Sequence, residues 1–511
     1  MSELTYDSLV DDGSYLTERA RLENKVILDE LERKKKARNL AVPTDDNRVK
    51  ARLREIGEPI TLFGERAADR RDRLIYVLSQ INAARGDDAI QVDEESEESE
   101  EEEEEEFYSP GSLELLEARR RIAEYSLPRA QKRIAQQRLD SRLDLGRIID
   151  IRKRVFTEVK KFSNLGSQIG DERPISQVRF SPNHKILATG SWSGSLKLWN
   201  VPACTEIRVL RGHVDKVGGV AWYPQATLTQ APNTINLVSG GGEGDLHLWS
   251  LDSDSPLSTL RGHEGRVCRV AFHPSGKYVA SASFDTTWRL WDVMTSKELL
   301  LQEGHSKEVY AVEFQNDGAL LASGGLDAIG RVWDIRTGRS AMVLDGHMGA
   351  LYTISFSPNG YQIATGSGDD TIRIWDMRSL KSLYTIAAHP SNVSDVRFFY
   401  ANDDFFKPPP PSDVVMNGQV DEQVNDQSNG TPDTQHTTAM EEWRYRSGLF
   451  FASSGYDGFV RLWSADDWQL LRSLPTDSGK VMSVDIASDG NLIASGTFNR
   501  NFQLFAPEDI S

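Results

Sequence analysis

Seven times in the last two thirds of the chain, a large aromatic closes the same short pattern of apolar strand, turn and apolar strand. The positions are Trp199, Trp249, Trp291, Trp333, Trp375, Trp463 and Phe505, separated by 50, 42, 42, 42, 88 and 42 residues. A repeat of about 40–45 residues predicts four-stranded blades arranged around a channel. The expected fold is therefore mainly β, a seven-bladed β-propeller, and such a ring is by default a binding platform.

The two irregular gaps are insertions. Blade two carries a polar stretch, Gln225 to Asn236, where its neighbours turn directly between strands. Blade six carries a longer one, from about Asn402 to Ser447, which holds Pro408 to Pro411 and is otherwise mostly Asp, Asn, Gln, Ser and Thr. That composition cannot bury enough apolar surface to order itself, so disorder is expected there.

Inside the repeat the chemistry recurs as well as the spacing. Blade three presents His263, Ser281, Asp285 and Trp291; blade four His305, Ser323, Asp327 and Trp333; blade five His347, Thr365, Asp369 and Trp375. An indole can only donate, a hydroxyl donates and accepts, and a carboxylate only accepts, so these four suit a hydrogen-bond relay from strand to turn. With Trp291-Asp292 closing the third strand, the pattern is that of a WD-repeat propeller, which is the fold expected. Blade two has Glu243 at the turn position, and blade six opens with Ala388-His389 before Ser453, Asp457 and Trp463. Blade one has Ser193 at its turn and no Gly-His pair, while blade seven has Asn499 and Phe505, so the two terminal blades lack a complete relay. No outer strand follows Phe505, and the β-prone run Val155 to Phe162 is the expected donor, closing the ring and removing an exposed sheet edge.

Residues just before each turn position, and those opening each first strand, are predicted to surround the channel on one face. They include Trp192, Phe284, Leu326, Tyr456 and Phe498, with Lys216 and Arg266 nearby. Large aromatics and arginines dominate interface energetics, so a partner-binding face is expected; the plainer alternative is aromatic packing between adjacent blades.

At 511 residues the chain is too long for one core. Its expected organisation is an N-terminal helical or flexible segment (1–41), a small helical module (42–85), an acidic disordered linker (86–112), a basic helical arm (113–154) and the propeller (155–511). The start has no basic segment followed by an apolar core, and no run approaches the length of a membrane span, so a soluble, intracellular protein is expected, with no membrane partner.

The net charge of −18 conceals an asymmetry, because Asp93 to Glu106 alone holds twelve carboxylates. Glu117 to Lys161, in contrast, holds fourteen Lys or Arg against six Asp or Glu. Within this basic arm Arg119, Arg120, Arg121, Arg129, Lys132 and Arg133 are candidates to track phosphates along RNA; packing of a solvated arm on a protein is the equal alternative. Tyr125 to Pro128 is expected to break the arm, with the proline in the first turn of a second helix.

Upstream, Thr44-Asp45-Asp46 can cap a helix whose Val49, Leu53 and Ile56 share one face, with Gly57 placed to end it. A second helix is expected to present Leu74, Val77, Leu78 and Ile81 opposite arginines 66, 70, 71 and 73. So small a core leaves apolar surface, expected around Leu62 and Phe63, for a partner to cover.

The stretch VPTDDNRVKARLREIGEPITLFGERAADRRDRLIYVLS, from Val42 to Ser79, resembles the splicing factor motif that precedes a propeller in the pre-mRNA processing factor four family, the WD-repeat subunits of the U4/U6 small nuclear ribonucleoprotein. EYSLPRAQKR from Glu124, LGSQIGDERPIS from Leu165 and FSPNGYQIATGSGDDTIRIWD from Phe356 are similar to the same family, and the likeness extends from about Ala20 to Phe505. The resemblance implies a non-catalytic nuclear scaffold of the U4/U6 particle and the U4/U6-U5 tri-snRNP, acting in pre-mRNA splicing. It implies a processing factor three family protein as main partner, the U4/U6 snRNA bound directly or within the particle, and other tri-snRNP proteins. The segment around Val26, Ile27, Leu28 and Leu31 is similar in position to one that recruits a spliceosomal cyclophilin in animal relatives. Arg33 to Arg38 reads equally as a nuclear import signal or a charged helix end.

Catalysis is not expected. Five of the nine histidines (213, 263, 305, 347 and 389) belong to the blade pattern and the others make no metal-ligand spacing, so neither a metal nor a cofactor is anticipated. The competing function is a generic WD-repeat adaptor of a ubiquitin ligase or chromatin complex, which would need neither the Val42 to Ser79 module nor the basic arm.

Overall fold

The computed structural model describes residues 46–60, 69–71, 73–78, 111–142, 144–401, 445–477 and 479–508. The chain divides into two compact units, Met1–Glu106 and Phe107–Ser511.

In the first unit, helix α1 spans Asp46–Glu55. Its Val49 and Leu53 are buried with Leu74, and Ile56 and Leu78 pack against them. The helix stops at Gly57, whose φ of +81° lies in the left-handed region. Gly57 N–H donates to Arg54 O (3.1 Å) and Glu58 N–H to Leu53 O (3.0 Å), a reciprocal C-terminal cap that a residue with a Cβ adopts only under strain. Residues 69–71 and 73–78 are helical, as the apolar spacing predicts. The arginines there do not form a solvated face: Arg70 is buried, and Arg73 donates to Pro59 O at 2.8 Å. A small core of this kind uses the aliphatic stems of arginines as packing material. Leu62, Phe63, Ile81, Val26, Ile27, Leu28, Leu31, the Arg33 to Arg38 run and the acidic run lie outside the described residues.

Among its described residues, the second unit holds helices α2 (Leu113–Asp140) and α3 (Leu145–Lys160), then 28 strands. These form seven four-stranded antiparallel sheets: the first is ordered β2-β3-β4-β5 (Ile175–Phe180, Ile186–Ser191, Ser195–Asn200, Thr205–Arg211), the next five follow the same consecutive order, and the seventh is ordered β1-β28-β27-β26 (Phe162–Ile169, Asn501–Pro507, Ile493–Thr497, Val481–Ile486). Apolar residues of consecutive blades interleave to make the core; Val178, Leu187 and Trp199 of the first sheet pack with Ala494, Phe502 and Leu504 of the last. In blades one, three, four, five and six the pairing of third and fourth strands shifts register immediately before the tryptophan. Such a bulge re-aims one side chain. Here it sits where the indole must point back toward the second strand.

Three expectations require correction. The strand that closes the ring is β1, Phe162–Ile169, paired antiparallel with β28 (Asn501–Pro507) from Phe162↔Pro507 to Ile169↔Asn501. Val155 to Lys160, read as that strand, instead completes α3, because Ile151, Val155 and Val159 recur at helical spacing and all three are buried. The propeller thus starts at Phe162, not at residue 155. Nor does Pro128 start a helix: it lies inside the 28-residue α2. Proline removes one N–H and strains the turn before it, but here tertiary contacts on both sides hold the helix together, as described below. In blade six the described chain resumes before the expected end of the insertion, with Tyr445 packed on the core and Ser447 Oγ accepting from Ala401 N–H at 3.2 Å. The rest of that insertion, residues 402–444, lies outside the described residues.

Candidate functional site

The relay forms as the residue types require. In blade three Trp291 Nε1–H donates to Ser281 Oγ (2.8 Å), Ser281 Oγ meets His263 Nε2 (2.6 Å), and His263 Nδ1 meets Asp285 (2.7 Å). Blade four repeats it through Trp333, Ser323, His305 and Asp327 at 2.9, 2.8 and 3.1 Å. Blade five uses Trp375, Thr365, His347 and Asp369 at 2.8, 2.8 and 2.9 Å. Blade six completes the same chain through Trp463, Ser453, His389 and Asp457. In blade one only the first link, Trp199 to Thr189 at 3.0 Å, exists. Burial would raise the Asp369 carboxyl, but hydrogen bonds from Thr371 and His347 outweigh it and hold it at about 2; Asp457 is likewise held at about 2 by His389 and Arg461. Burial lowers His263, His347 and His389 despite their carboxylate neighbours. Each relay therefore ties the loop entering a blade to the turn between its second and third strands.

These loops and turns define the upper face of the propeller, and a ring of backbone bonds frames it. Trp192 N–H donates to Pro174 O (2.9 Å), Phe284 to Arg266 O (2.9 Å), Leu326 to Glu308 O (2.8 Å), Tyr456 to Asn392 O (3.0 Å) and Phe498 to Lys480 O (2.9 Å). Gly242 and Gly368 take the same place in blades two and five, donating to Lys216 O and Ala350 O. The predicted face residues are thus brought to equivalent positions.

Their side chains also touch one another. Trp192 and Phe498 meet edge-on across blades one and seven at 5.6 Å, and Phe284 meets Tyr310 of blade four at 6.5 Å. Lys216 lies 4.8 Å over Trp192, Arg266 5.8 Å over Phe284, and Lys480 5.3 Å over Tyr456. Packing between adjacent blades and an accessible aromatic surface coexist, since Phe284 and Phe498 remain 36% and 41% exposed. Beside them the loops expose Val214 and Met348 almost fully. Sequence reasoning missed these two, although each directly follows a relay histidine.

The lower face, made of turns between first and second and between third and fourth strands, is covered in part, by α2 over blades three to five and by α3 on blade six, while Met294 and Leu380 in its turns stay exposed. Helix α2 begins at Ser112, whose Oγ accepts from Leu115 N–H. It then crosses blades three to five, burying Leu115, Ala118 and Ile122 with Tyr278, Leu300 and Ile335. Lys297 pairs with Glu114 at 2.9 Å, and Tyr125 Oη donates to Pro274 O at 2.9 Å. Beyond Pro128, Arg133 pairs with Asp317 at 2.7 Å and donates to Asn359 O, which also accepts from Gln137. Two glycines make room: a Cβ at Gly338 would meet the Arg119 guanidinium at 2.2 Å, and one at Gly360 would meet that of Arg133 at 2.5 Å. Both glycines also have φ near +80°. Helix α3 is tied to blade six through Arg152–Asp466 and Glu158–Arg446, each 3.0 Å.

The six basic residues singled out in the arm therefore separate. Arg119 is buried and Arg133 turns into the propeller, while Arg120, Arg121, Arg129 and Lys132 are exposed. Beneath the arm His273 donates from Nε2 to Gly318 O at 2.9 Å while Nδ1 accepts from Ser275 N–H, and its ring lies 5.5 Å from Tyr125. Burial lowers its pKa to about 4, so the imidazole is neutral.

Sequence reasoning also missed a buried ionic cluster contributed by first strands. Arg179 of blade one reaches Asp395 of blade six at 3.2 Å, Arg397 reaches Glu313 of blade four at 2.8 Å, and Ser483 donates to Asp395 at 2.8 Å. Contacts between non-adjacent blades can only cross the channel. Burial pushes Glu313 up to about 7 against the pull of Arg397. The visible signal was an Arg, Glu or Asp inside apolar first strands. The spacing argument likewise passed over Glu243 and His247, which the fold brings to His213 with ligand atoms within 4.8 Å of one another.

Comparison with known proteins finds the same two features. A family model described as pre-mRNA processing factor 4 (PRP4) like matches residues 49–77. The WD domain, G-beta repeat model matches residues 162–200, 204–250, 254–292, 296–334, 338–376 and 468–505. The chain is 43% identical over 210 residues to the Homo sapiens U4/U6 small nuclear ribonucleoprotein Prp4, covering 40% of each chain. It is 38% identical over 201 residues to the Arabidopsis thaliana U4/U6 small nuclear ribonucleoprotein PRP4-like protein, 37% of this chain and 36% of the relative. To the Saccharomyces cerevisiae U4/U6 small nuclear ribonucleoprotein PRP4 it is 33% identical over 265 residues, 49% of this chain and 53% of the relative. The chain thus matches about two fifths of the human and plant relatives' length and half of the yeast one's. A seven-bladed WD-repeat propeller preceded by a PRP4-like segment is what the chain contains, and the proteins it is similar to carry the name U4/U6 small nuclear ribonucleoprotein Prp4.

Proposed function

We propose that the chain is a non-catalytic scaffold subunit of the U4/U6 snRNP and the U4/U6-U5 tri-snRNP, acting in the nucleus in spliceosome assembly. The observation that carries this reading is the occurrence, in one chain and in this order, of a PRP4-like segment and a WD-repeat propeller. The partners proposed are a processing factor three family protein, the U4/U6 snRNA and other tri-snRNP proteins, with a spliceosomal cyclophilin at the N-terminal segment.

The two faces of the propeller divide the work in this reading. The upper face, with Trp192, Lys216, Arg266, Phe284, Leu326, Tyr456 and Phe498, docks a protein. Leu62 and Phe63 serve the same purpose in the N-terminal module. RNA contact falls to Arg120, Arg121, Arg129 and Lys132, which α2 leaves exposed while Arg119 and Arg133 hold the helix down. A scaffold of this design needs no reacting group, only rigid presentation of separated surfaces.

Purifying the tagged protein at moderate salt, sequencing the co-purified RNA and identifying the proteins by mass spectrometry tests the proposal. Recovery of U4 and U6 together with a processing factor three relative is expected. Recovery of a ligase or chromatin complex without RNA would overturn it.

A further inference from the structure

Blade two departs from its neighbours at two linked positions. Where blades three to six place Asp at the turn, it has Glu243; where blades one, three, four, five and six place Lys or Arg two residues before the tryptophan, it has His247. In blades three and six that cation pairs with the turn carboxylate, Arg289 to Asp285 at 3.4 Å and Arg461 to Asp457 at 2.7 Å. In blade two the same pair of positions gives a carboxylate facing a second imidazole. Glu243 Oε1 hydrogen-bonds His213 Nδ1 and lies 3.9 Å from His247 Nε2, and the two rings are 4.3 Å apart.

We propose that His213, Glu243 and His247 form a divalent transition-metal site of the Zn²⁺ class. Two imidazoles and one carboxylate are a donor set that zinc accepts with a fourth position left for water, at bond lengths of about 2.0–2.2 Å. A tetrahedral ion of that size separates its ligand atoms by about 3.3 Å, and the three ligand atoms already lie within 4.8 Å of one another, so binding draws the imidazoles and the Glu243 carboxylate inward around the ion. The nitrogens turned away from the site are already oriented: His213 Nε2 lies 2.6 Å from Ser239 Oγ, and His247 Nδ1 lies 2.9 Å from Thr259 Oγ1. Outer hydrogen bonds of this kind fix the ring orientation of metal-binding histidines. The ion takes the place of the proton between His213 and Glu243; that proton moves to Nε2, which then donates a hydrogen bond to Ser239 Oγ, and the Ser239 hydroxyl hydrogen turns away from the ring. The His213 and His247 side chains are 0% and 8% exposed and that of Glu243 20%, so the ion reaches the site from the Glu243 side. His213 also belongs to the loop that carries Lys216 to Trp192, so metal binding stiffens the edge of the upper face.

The test is titration of the full chain, stripped with chelator, with Zn²⁺ alone, by calorimetry and thermal melting. One site, a raised Tm, and X-ray absorption of the bound ion showing two imidazoles are expected. His247→Arg restores the residue type of the other blades and should keep the fold while weakening Zn²⁺ binding at least tenfold; Glu243→Gln should do the same. Absence of binding, absorption without two imidazoles, or unchanged binding in a folded variant, meaning an adventitious ion elsewhere, would each overturn the proposal.

Discussion

The two faces of one propeller have opposite fates. On the lower face, Leu115, Ala118 and Ile122 of α2 fill the surface of blades three to five, and Tyr125 and Arg133 satisfy carbonyl and carboxylate groups of the turns. On the upper face, aromatic side chains of similar bulk are fixed at their backbones yet left a third or more exposed, as at Phe284 and Phe498. The difference lies in what the chain supplies. A helix preceding the ring already covers part of one side and presents its own basic residues there, while the other side presents the aromatic rings of the blades themselves.

The sharpest break of this contrast is Ile122→Ala, which removes a fully buried side chain on the covered face. It should cost about 2–4 kcal/mol, read by denaturant unfolding, with faster amide exchange along α2. The same truncation class on the open face, Phe284→Ser, should change stability by less than about 1 kcal/mol while reducing recovery of protein partners. Equal losses from both would erase the distinction.

A smaller effect is expected for Arg133→Gln, about 1–3 kcal/mol, because Asp317 is left nearly buried without its cation. Lys132→Gln, one residue away but exposed, should leave the melting temperature unchanged and lower the salt dependence of RNA binding by about one charge. If Arg133→Gln were as silent in stability as Lys132→Gln, the arm would not be anchored where it is drawn.

Acid sharpens the comparison further. His273 lies under Tyr125 with its folded pKa depressed to about 4 from an ordinary value near 6.5. The unfolded chain therefore binds more protons between these values, and the stability contributed by neutral His273 is complete above about pH 6.5 and lost as pH falls toward 4. The relay histidines 263, 347 and 389 titrate in the same sense. The readout is thus the difference between wild type and His273→Gln, whose melting temperature should fall less steeply between pH 6.5 and 4.

The smallest expected effect is a gain. Thr286 follows the turn aspartate of blade three at φ +70°, whereas Gly194, Gly244 and Gly458 hold that place in blades one, two and six. A β-branched residue there is strained, so Thr286→Gly should stabilise by about 0.5–1 kcal/mol in thermal melts without altering partner recovery.

What was legible in the sequence was what repeats. The tryptophans, relay triplets and turn positions appear at a fixed period, so blade number, the incomplete terminal relays and the positions framing the upper face followed from spacing alone. The misreadings lie where no repeat constrains the chain. Val155 to Phe162 has β-prone residues, yet Ile151, Val155 and Val159 also recur at helical spacing, and the surface they meet decided the outcome. Pro128 reads as a helix start locally, and contacts far along the chain on both sides of it, such as those of Tyr125 and Arg133, hold a continuous helix through it. The channel cluster, signalled only by charged residues inside apolar first strands, and the blade-two pair of histidines were passed over for a related reason. The members of the first are up to hundreds of residues apart and meet only across the ring, and the two histidines, tens of residues apart, meet only once blade two has folded.

The closing strand has a consequence in time. Gln168 pairs with Phe502, so its partner is made some 330 residues later. At roughly 5–20 residues per second of synthesis, β1 remains without its partner for tens of seconds, its edge open to any other strand. During that interval the six complete blades form an arc rather than a ring, and the arc cannot close until β28 emerges. Every nascent copy therefore passes through a stage in which the edge of β1 stands unpaired, so the ring's last closure is also the step at which its open edge is longest exposed.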